Sequence, residues 1–362
     1  MVETFRKMDE IRRRTGKPRA PTITDVAEAA GVSIATVSAF INGTANVSPE
    51  LAQRIEVAIG KIGYQRNAIA RSLKLGATHT IGLTVADIRN PFFTDVVARI
   101  QQVLNKAGYA VMLCSSDEDT ARQDEQIKLL LDRMVDGLII APAGEDEVMR
   151  RLVTSTRKPV VLIDRVCEGL DIDAVIIDNM KAVADATAYL LGLGHRRIGY
   201  LSGPPGTSTG RERLAGYRNA LAAASVAYEP ALVREGNFRE ADGYRAAMQL
   251  LAMPERPTAL FSANNLMVIG AMRAIRDMGL SCPADISVAS MDDFPWADMF
   301  SPRLTTVAQP VEAIGEHAAN LLLDRLQGRA GPEPRRLVLH GRLTTRDSCR
   351  ALVAPSALSQ SA

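Results

Sequence analysis

Several things are scarce in this sequence. No apolar run approaches eighteen residues, so no segment reads as a membrane-spanning helix and no membrane partner is expected. The N-terminal stretch carries charges but no apolar signal core, and the expectation is a cytoplasmic protein that is not exported. The four cysteines, Cys114, Cys167, Cys282 and Cys349, are scattered without a CxxC, and the four histidines add no metal-ligand spacing to them. They read as reduced thiols, with no metal and no cofactor. No Ser-His-Asp or Cys-His arrangement can be assembled, so an enzyme is not expected. His195, in GLGHRRIG, reads as a loop residue ahead of a strand.

A strong net charge is also missing. The chain as a whole carries +2, which by itself argues for no particular partner. Its distribution says more. Residues 1–76 hold twelve Lys/Arg against seven Asp/Glu, a net of +5, so the remainder carries −3. Seven of the basic residues fall in 1–21, a polar stretch that reads as a disordered tail or as an arm adding phosphate contacts.

The basic end holds the most informative stretch, TITDVAEAAGVSIATVSAFIN over 22–42. Ile23, Val26, Ala27 and Ala30 fall at helical spacing, with Thr22 placed as the N-cap. Gly31 breaks the run, and Ser33 caps a second short helix with Val37 and Phe40 or Ile41 to pack. Two short helices about a glycine turn are the helix-turn-helix pattern. Such helices are marginal alone, so a third is needed. Ser48-Pro49 starts it, and Leu51, Ile55, Ala58, Ile59 and Ile62 form its stripe up to Gly63. A helix-turn-helix lays its second helix in the DNA major groove. The face left free there carries Ile34, Ala35 and Ala39, which can touch thymine methyls but cannot form bidentate hydrogen bonds. A three-helix bundle without a DNA role has the same helix pattern.

The segment NAIARSLK follows the third helix directly, over 67–74. Together, residues 22–75 resemble the head-piece and hinge of the LacI family of bacterial transcriptional repressors. The resemblance implies DNA contacts from Thr22 and Thr24 at the start of the first helix. It adds Ser33, Ile34, Ala35, Thr36, Ser38, Ala39 and Asn42 on the second, and Asn67, Arg71, Ser72, Leu73 and Lys74 in the hinge. Leu73 matches the residue that wedges into the minor groove, a known use of apolar side chains. The family often has polar residues where this chain has Ile34, Ala35 and Ala39, which leaves the operator sequence open.

From His79 the texture changes to apolar strands separated by helical stretches. Strands are expected at 81–85, 109–114, 137–142, 159–164, 174–178, 197–202, 258–263 and 286–291. Helices are expected near 92–106, 120–133, 179–193, 211–224, 239–252, 264–278 and 311–326. Continuous apolar strands alternating with helices indicate parallel sheets covered on both faces, and their number calls for two subdomains. The fold class expected is therefore an all-α helix-turn-helix head-piece plus an α/β effector domain of two parallel-sheet subdomains, which resembles the periplasmic-binding-protein type I fold of the family. The expected division is a tail over 1–21, a DNA-binding domain over 22–66, a hinge helix over 67–77 and an effector and dimerisation domain over 78–350. Within the last, the first subdomain spans about 79–178 and 307–327 and the second about 179–304 and 328–350. Residues 351–362 read as a disordered tail.

SGPPGTSTGR (202–211) looks like a phosphate loop but lacks its lysine: counted from Gly203, the Gly-Lys positions are Ser208 and Thr209. A polar strand-to-helix loop beside a cleft is the better reading, since parallel sheets place ligands at the carboxyl ends of their strands. Other polar and aromatic residues cluster at such ends. The resemblance implies effector contacts from Phe92, Phe93, Arg165, Thr209, Arg213, Asn264 and Asp292, with Gln309 and the lone tryptophan, Trp296, as further candidates. Phe92 also fits a core position, Asp164 a cap, and Trp296 a loop anchor. Arg213 is expected in a first helical turn, where only an acidic or polar partner offsets the helix dipole. Arg165 and Arg211 allow an anionic effector, a sugar acid or sugar phosphate; paired with Asp164 and Glu212 they leave a site for a neutral sugar.

The function implied is a sequence-specific repressor of carbohydrate-use genes, bound as a homodimer to a near-palindromic operator and released by a small sugar-like effector. A corepressor-activated regulator with a non-sugar effector and a cytoplasmic sugar-binding protein without a DNA role are the alternatives.

Overall fold

The computed structural model describes residues 21–43, 46–64, 77–145 and 147–352. The hinge residues Asn67, Arg71, Ser72, Leu73 and Lys74, and both expected tails except residues 21, 351 and 352, lie outside the described residues. The chain divides into two units between Gly76 and Ala77.

The first unit is three helices: α1 (Ile23–Ala30), α2 (Ile34–Asn42) and α3 (Pro49–Ile62). Each start is capped by a hydroxyl. Thr22, Ser33 and Ser48 accept from the amides of Asp25, Thr36 and Leu51, and Asp25 closes a capping box onto the Thr22 amide at 2.6 Å. Between α1 and α2 the axis turns by 108°. Gly31 makes this possible with φ of +62°, where a Cβ would also sit 2.8 Å from the Arg54 guanidinium. That guanidinium donates to the Ala30 carbonyl at 2.6 Å, satisfying the end of α1 from α3. Val26, Val37 and Ile55, one from each helix, are fully buried and form the core.

The second unit has two six-stranded sheets. The first is ordered β11-β5-β4-β3-β1-β2, from β1 (Thr80–Val85), β2 (Ala110–Ser115), β3 (Gly137–Ile140), β4 (Val160–Ile163), β5 (Asp173–Ile177) and β11 (Arg336–Leu339). All its pairings are parallel. Helices α4 (Pro91–Lys106), α5 (Thr120–Asp132), α6 (Glu147–Ser155) and α11 (Val311–Leu326) belong to this lobe. The second is ordered β12-β10-β9-β8-β6-β7, from β6 (Ile198–Ser202), β7 (Val233–Glu235), β8 (Ala259–Ser262), β9 (Ser287–Met291), β10 (Thr305–Ala308) and β12 (Arg342–Thr344). Only β12 runs antiparallel. Its helices are α7 (Asn179–Gly192), α8 (Ser208–Ala223), α9 (Glu240–Leu251) and α10 (Asn265–Asp277). Central strands such as β4, VVLI, are buried on both faces, each such side chain contributing about 1.5–3 kcal/mol.

The chain passes between lobes three times, and two passages differ from the expected positions. The first follows β5, at Asp178–Asn179. The second comes after Ala308, not within 304–307, because Thr305–Ala308 is itself a strand paired with β9. The third lies at His340–Gly341, not near Gly328: Arg336–Leu339 first adds an edge strand beside β5. Four strands lie outside the expected set: β7 (VRE) and β12 (RLT) are three-residue edge strands with one apolar residue each, and β10 (TTVA) and β11 (RLVL) are only four residues long. Helix α8 begins three residues before its expected start, with Thr207 as its cap.

Candidate functional site: an interlobe cleft and an exposed helix

The carboxyl ends of the strands in both lobes face each other across a cleft of about 10 Å3, room for about one water. From the first lobe, Asn90 caps α4 through the Phe92 amide at 3.0 Å and aims Phe92 and Phe93 inward. Their rings meet edge to face at 5.0 Å and are almost wholly buried. Asp164 and Arg165 follow β4, and Glu118 follows β2. The Arg165 guanidinium donates to both Glu118 oxygens, at 2.6 and 2.7 Å, and to the Pro142 carbonyl at 3.0 Å.

From the second lobe come Thr209 and Arg213 on α8, Asn264 capping α10, Asp292 after β9, and Phe238 after β7. Arg213 lies in the second turn of its helix, so the expected clash with the helix dipole does not arise. It donates to Asn179 Oδ1 at 2.8 Å and to the Ala263 carbonyl at 2.6 Å. Both ends of the Asn264 amide are used: it accepts from the Met267 amide at 2.9 Å and donates to the Phe238 carbonyl at 3.1 Å. Gln309, at the second interlobe passage, donates to Asp292 Oδ1 at 2.5 Å.

Phe238 fills the middle. The guanidinium carbons of Arg165 and Arg213 lie 5.2 and 5.8 Å from its ring centroid, one arginine from each lobe. Gly203 lets the ring in, since a Cβ there would come within 2.1 Å of it. Asp164 Oδ1 is 4.0 Å from Arg213, an ion-pair separation too long for a hydrogen bond. Burial pushes the Asp164 carboxyl up to about 6, against the pull of Arg165 and Arg213 and with a push from Asp292 and Glu118. Arg165 is also buried, yet Glu118 and Asp164 more than offset that and raise its pKa.

Eight of the nine expected effector residues therefore line one cleft: Phe92, Phe93, Arg165, Thr209, Arg213, Asn264, Asp292 and Gln309. Trp296 does not. It is 42% exposed on a loop, packed edge to face on Phe294, so it fits the loop-anchor alternative. Sequence reasoning missed Asn90, Glu118 and Phe238. Asn90 carried a signal, an Asn-Pro at a helix start. Glu118 carried none beyond following an expected strand, and Phe238 carried none at all, since β7 was not expected; both hold positive φ, 58° and 57°. Arg211 lies outside this cleft and pairs with Glu145. Asp293 is held by Arg346 at 2.8 Å. His195 is buried between Thr258 Oγ1 and the Arg350 carbonyl.

In the head-piece, Thr24, Ser33, Ile34, Ala35 and Asn42 are exposed, while Thr22, Thr36, Ser38 and Ala39 are half-buried. Ser33 and Thr36 share a hydroxyl hydrogen bond of 2.8 Å, and Asn42 donates to Ser38 at 3.2 Å. The outward face of α2 is thus small, uncharged and partly self-satisfied. Among the described residues no cluster of His, Cys, Asp and Glu could hold a metal, and no single helix is long and apolar enough to cross a membrane.

A capped helix-turn-helix unit joined in one chain to a two-lobed α/β binding domain defines a class of ligand-responsive DNA-binding regulators. Residues 22–67 match the family model for bacterial regulatory proteins of the lacI family, and residues 187–349 match a periplasmic binding protein-like domain. The HTH-type transcriptional repressor PurR of Vibrio atlanticus is 34% identical over 332 residues, covering 91% of this chain and 99% of the relative. PurR of Escherichia coli O139:H28 is 35% identical over 329 residues, covering 90% and 96%. Among solved structures, a Lac repressor dimer bound to operator and the anti-inducer ONPF superposes with a TM-score of 0.82 at 30% identity, covering 92% and 100%. A complex of the transcriptional regulator CelR with cellobiose gives 0.70 at 33%, covering 91% and 99%. The chain belongs to the LacI family and is a DNA-binding transcriptional repressor.

Proposed function

We propose that the interlobe cleft binds a small sugar-like effector that releases the repressor from a near-palindromic operator controlling carbohydrate-use genes. One observation carries this reading: buried carboxylate, amide, hydroxyl and guanidinium groups from both lobes converge on three phenylalanine rings. Polar groups of this kind bond hydroxyls, and aromatic faces cover the C–H face of a sugar ring. The cellobiose bound to CelR, at 33% identity, supports the same ligand class. Phe92, Phe93, Thr209, Asn264, Asp292 and Gln309, with the two arginines, are the proposed effector residues. Trp296 is set aside.

The DNA half rests on α2 and the hinge. Ser33, Ile34, Ala35, Thr36, Ser38, Ala39 and Asn42 face the groove, Thr22 and Thr24 contact the backbone, and Asn67, Arg71, Ser72 and Lys74 flank a wedging Leu73. One helix-turn-helix reads a half-site, so the working unit is a homodimer. Effector binding favours one angle between the lobes, which changes how paired hinges pack, and the coupling is reciprocal.

The test is a thermal-shift screen of the full chain against sugars, polyols, sugar acids and sugar phosphates, followed by operator titration with each hit. A hit that weakens the operator complex is expected. A hit that tightens it reverses the sign to corepression, and no hit among these compounds removes the sugar-like effector.

A further inference from the structure

In sequence Arg165 fits an anionic effector as well as a neutral one, and its surroundings in the cleft distinguish the two. Three carboxylates, Glu118, Asp164 and Asp292, share the cleft with two guanidiniums, Arg165 and Arg213. Glu118 accepts from both Nη groups of Arg165, and each side chain is less than a tenth exposed. Pro142 takes a further hydrogen of Arg165, and Asn179 and Ala263 take two of Arg213. Both Nη groups of Arg165 are therefore engaged by protein acceptors, and its Nε lies 3.3 Å from Asp164 Oδ2 in an ion pair. Beside Arg165 Nε, two acceptors are left unmet: Asp164 Oδ1 and Gln309 Oε1 are buried with no hydrogen-bond partner among the described residues. A buried acceptor without a donor is costly, and a ligand bearing O–H or N–H groups relieves it. A carboxylate or phosphate would instead meet two bare acceptors and an excess of negative charge.

We propose that Glu118 makes this cleft selective against anions: by holding the Arg165 guanidinium bidentately, it reserves the site for a neutral or cationic ligand rich in hydrogen-bond donors. This rests on the cleft being the effector site proposed above, and it removes sugar acids and sugar phosphates from the candidate class. Arg165 and Glu118 are 47 residues apart in sequence, on loops after β4 and β2, so no local pattern pairs them. Glu118 acts through Arg165 and is a specificity residue. Freed from Glu118, the guanidinium presents two parallel N–H donors, the geometry that binds a carboxylate or phosphate.

The experiment uses the full chain with pentoses and hexoses, their amino derivatives, their onic acids and their 6-phosphates, read by thermal shift and calorimetry at pH 7.5. Wild type is compared with Glu118→Gln and with the double variant Glu118→Gln/Arg165→Gln. The expected result is no anion binding to wild type, at least a ten-fold gain in affinity for an onic acid or 6-phosphate in Glu118→Gln, and loss of that gain in the double variant. Binding of an anion to wild type as tight as that of its neutral parent overturns the proposal. So does a Glu118→Gln protein that folds and gains nothing, or a gain that persists without Arg165. If Glu118→Gln does not fold, the ranking of neutral, amino and acidic forms on wild type decides: anions at or above their neutral parents, or no form bound at all, overturn the exclusion. If no neutral or amino sugar binds wild type but Glu118→Gln gains anions through Arg165, the sugar-like effector falls while the exclusion stands.

Discussion

Asn265 Nδ2, at the start of α10, donates to Asn90 Oδ1, the cap of α4, at 2.9 Å, joining the two lobes by a buried hydrogen bond between two helix N-termini. It is one of several contacts that hold the cleft shut. On the opposite rim the Val166 amide donates to Ser208 Oγ at 3.1 Å and the Glu145 amide to the Gly206 carbonyl at 3.0 Å, while Arg211 pairs with Glu145. Arg239 reaches the Asp117 carbonyl at 2.6 Å. A cleft this narrow must open for any ligand of sugar size to enter, so these bonds set the balance between open and closed lobes.

Replacing Asn265 by alanine should shift that balance. A typical net hydrogen bond is about 1 kcal/mol, so the closed form loses roughly five-fold in population. Stopped-flow measurement with a cleft ligand should show dissociation faster by about that factor. An unchanged rate would mean that the Asn90–Asn265 bond does not limit opening.

Asp164 predicts a pH signature. Its folded pKa, about 6, lies above the ordinary aspartate value, so between roughly pH 4 and pH 6 the folded state holds more protons than the unfolded one. Stability from this group is therefore present at low pH and lost as pH rises through 6, by on the order of 3 kcal/mol. The charges facing it are Arg165, Arg213, Asp292 and Glu118. Asp164→Asn removes the titration. Chemical denaturation from pH 4.5 to 7.5 should show wild type losing stability relative to Asp164→Asn as pH rises; parallel curves would contradict it.

The head-piece should be sensitive to single core changes, because its described core has one fully buried side chain per helix. Ile55→Ala removes the one on α3 and should cost about 2–5 kcal/mol, enough to unfold so small a unit. Operator binding should be lost while the melting transition of residues 77–352 stays put. Gly31→Ala should do the same more mildly, since φ of +62° is strained for alanine and its Cβ crowds Arg54.

Leu73→Ala should weaken operator binding well beyond non-specific binding, because a wedge acts only in a bent, specific complex. Competition with random-sequence DNA reads the difference, and equal loss on both DNAs would show that Leu73 does not wedge. Loss of Lys74 should instead weaken all sequences alike and flatten the salt dependence by about one charge.

Much of this protein is written locally in its sequence. Hydroxyl caps at Thr22, Ser33 and Ser48, glycines at 31 and 63, and proline at 49 punctuate the head-piece, because caps and left-handed turns depend on residues within one turn of the chain. Central strands such as β3 and β4 are legible from short apolar runs, because burial on both faces demands them, whereas the inner strand β10, TTVA, is not. That eight of the expected residues share one cleft follows from the family resemblance together with the polar residues that stand at the strand ends of its parallel sheets. Tertiary structure alone decided the rest. It set Arg165 against Glu118 and not only beside Asp164, brought Phe238 between two arginines through the space at Gly203, and left Trp296 outside. It also spent both ends of Asn264 on a cap and a loop. Those outcomes depend on which strands become neighbours and how far two lobes close, and no spacing along the chain carries that distance.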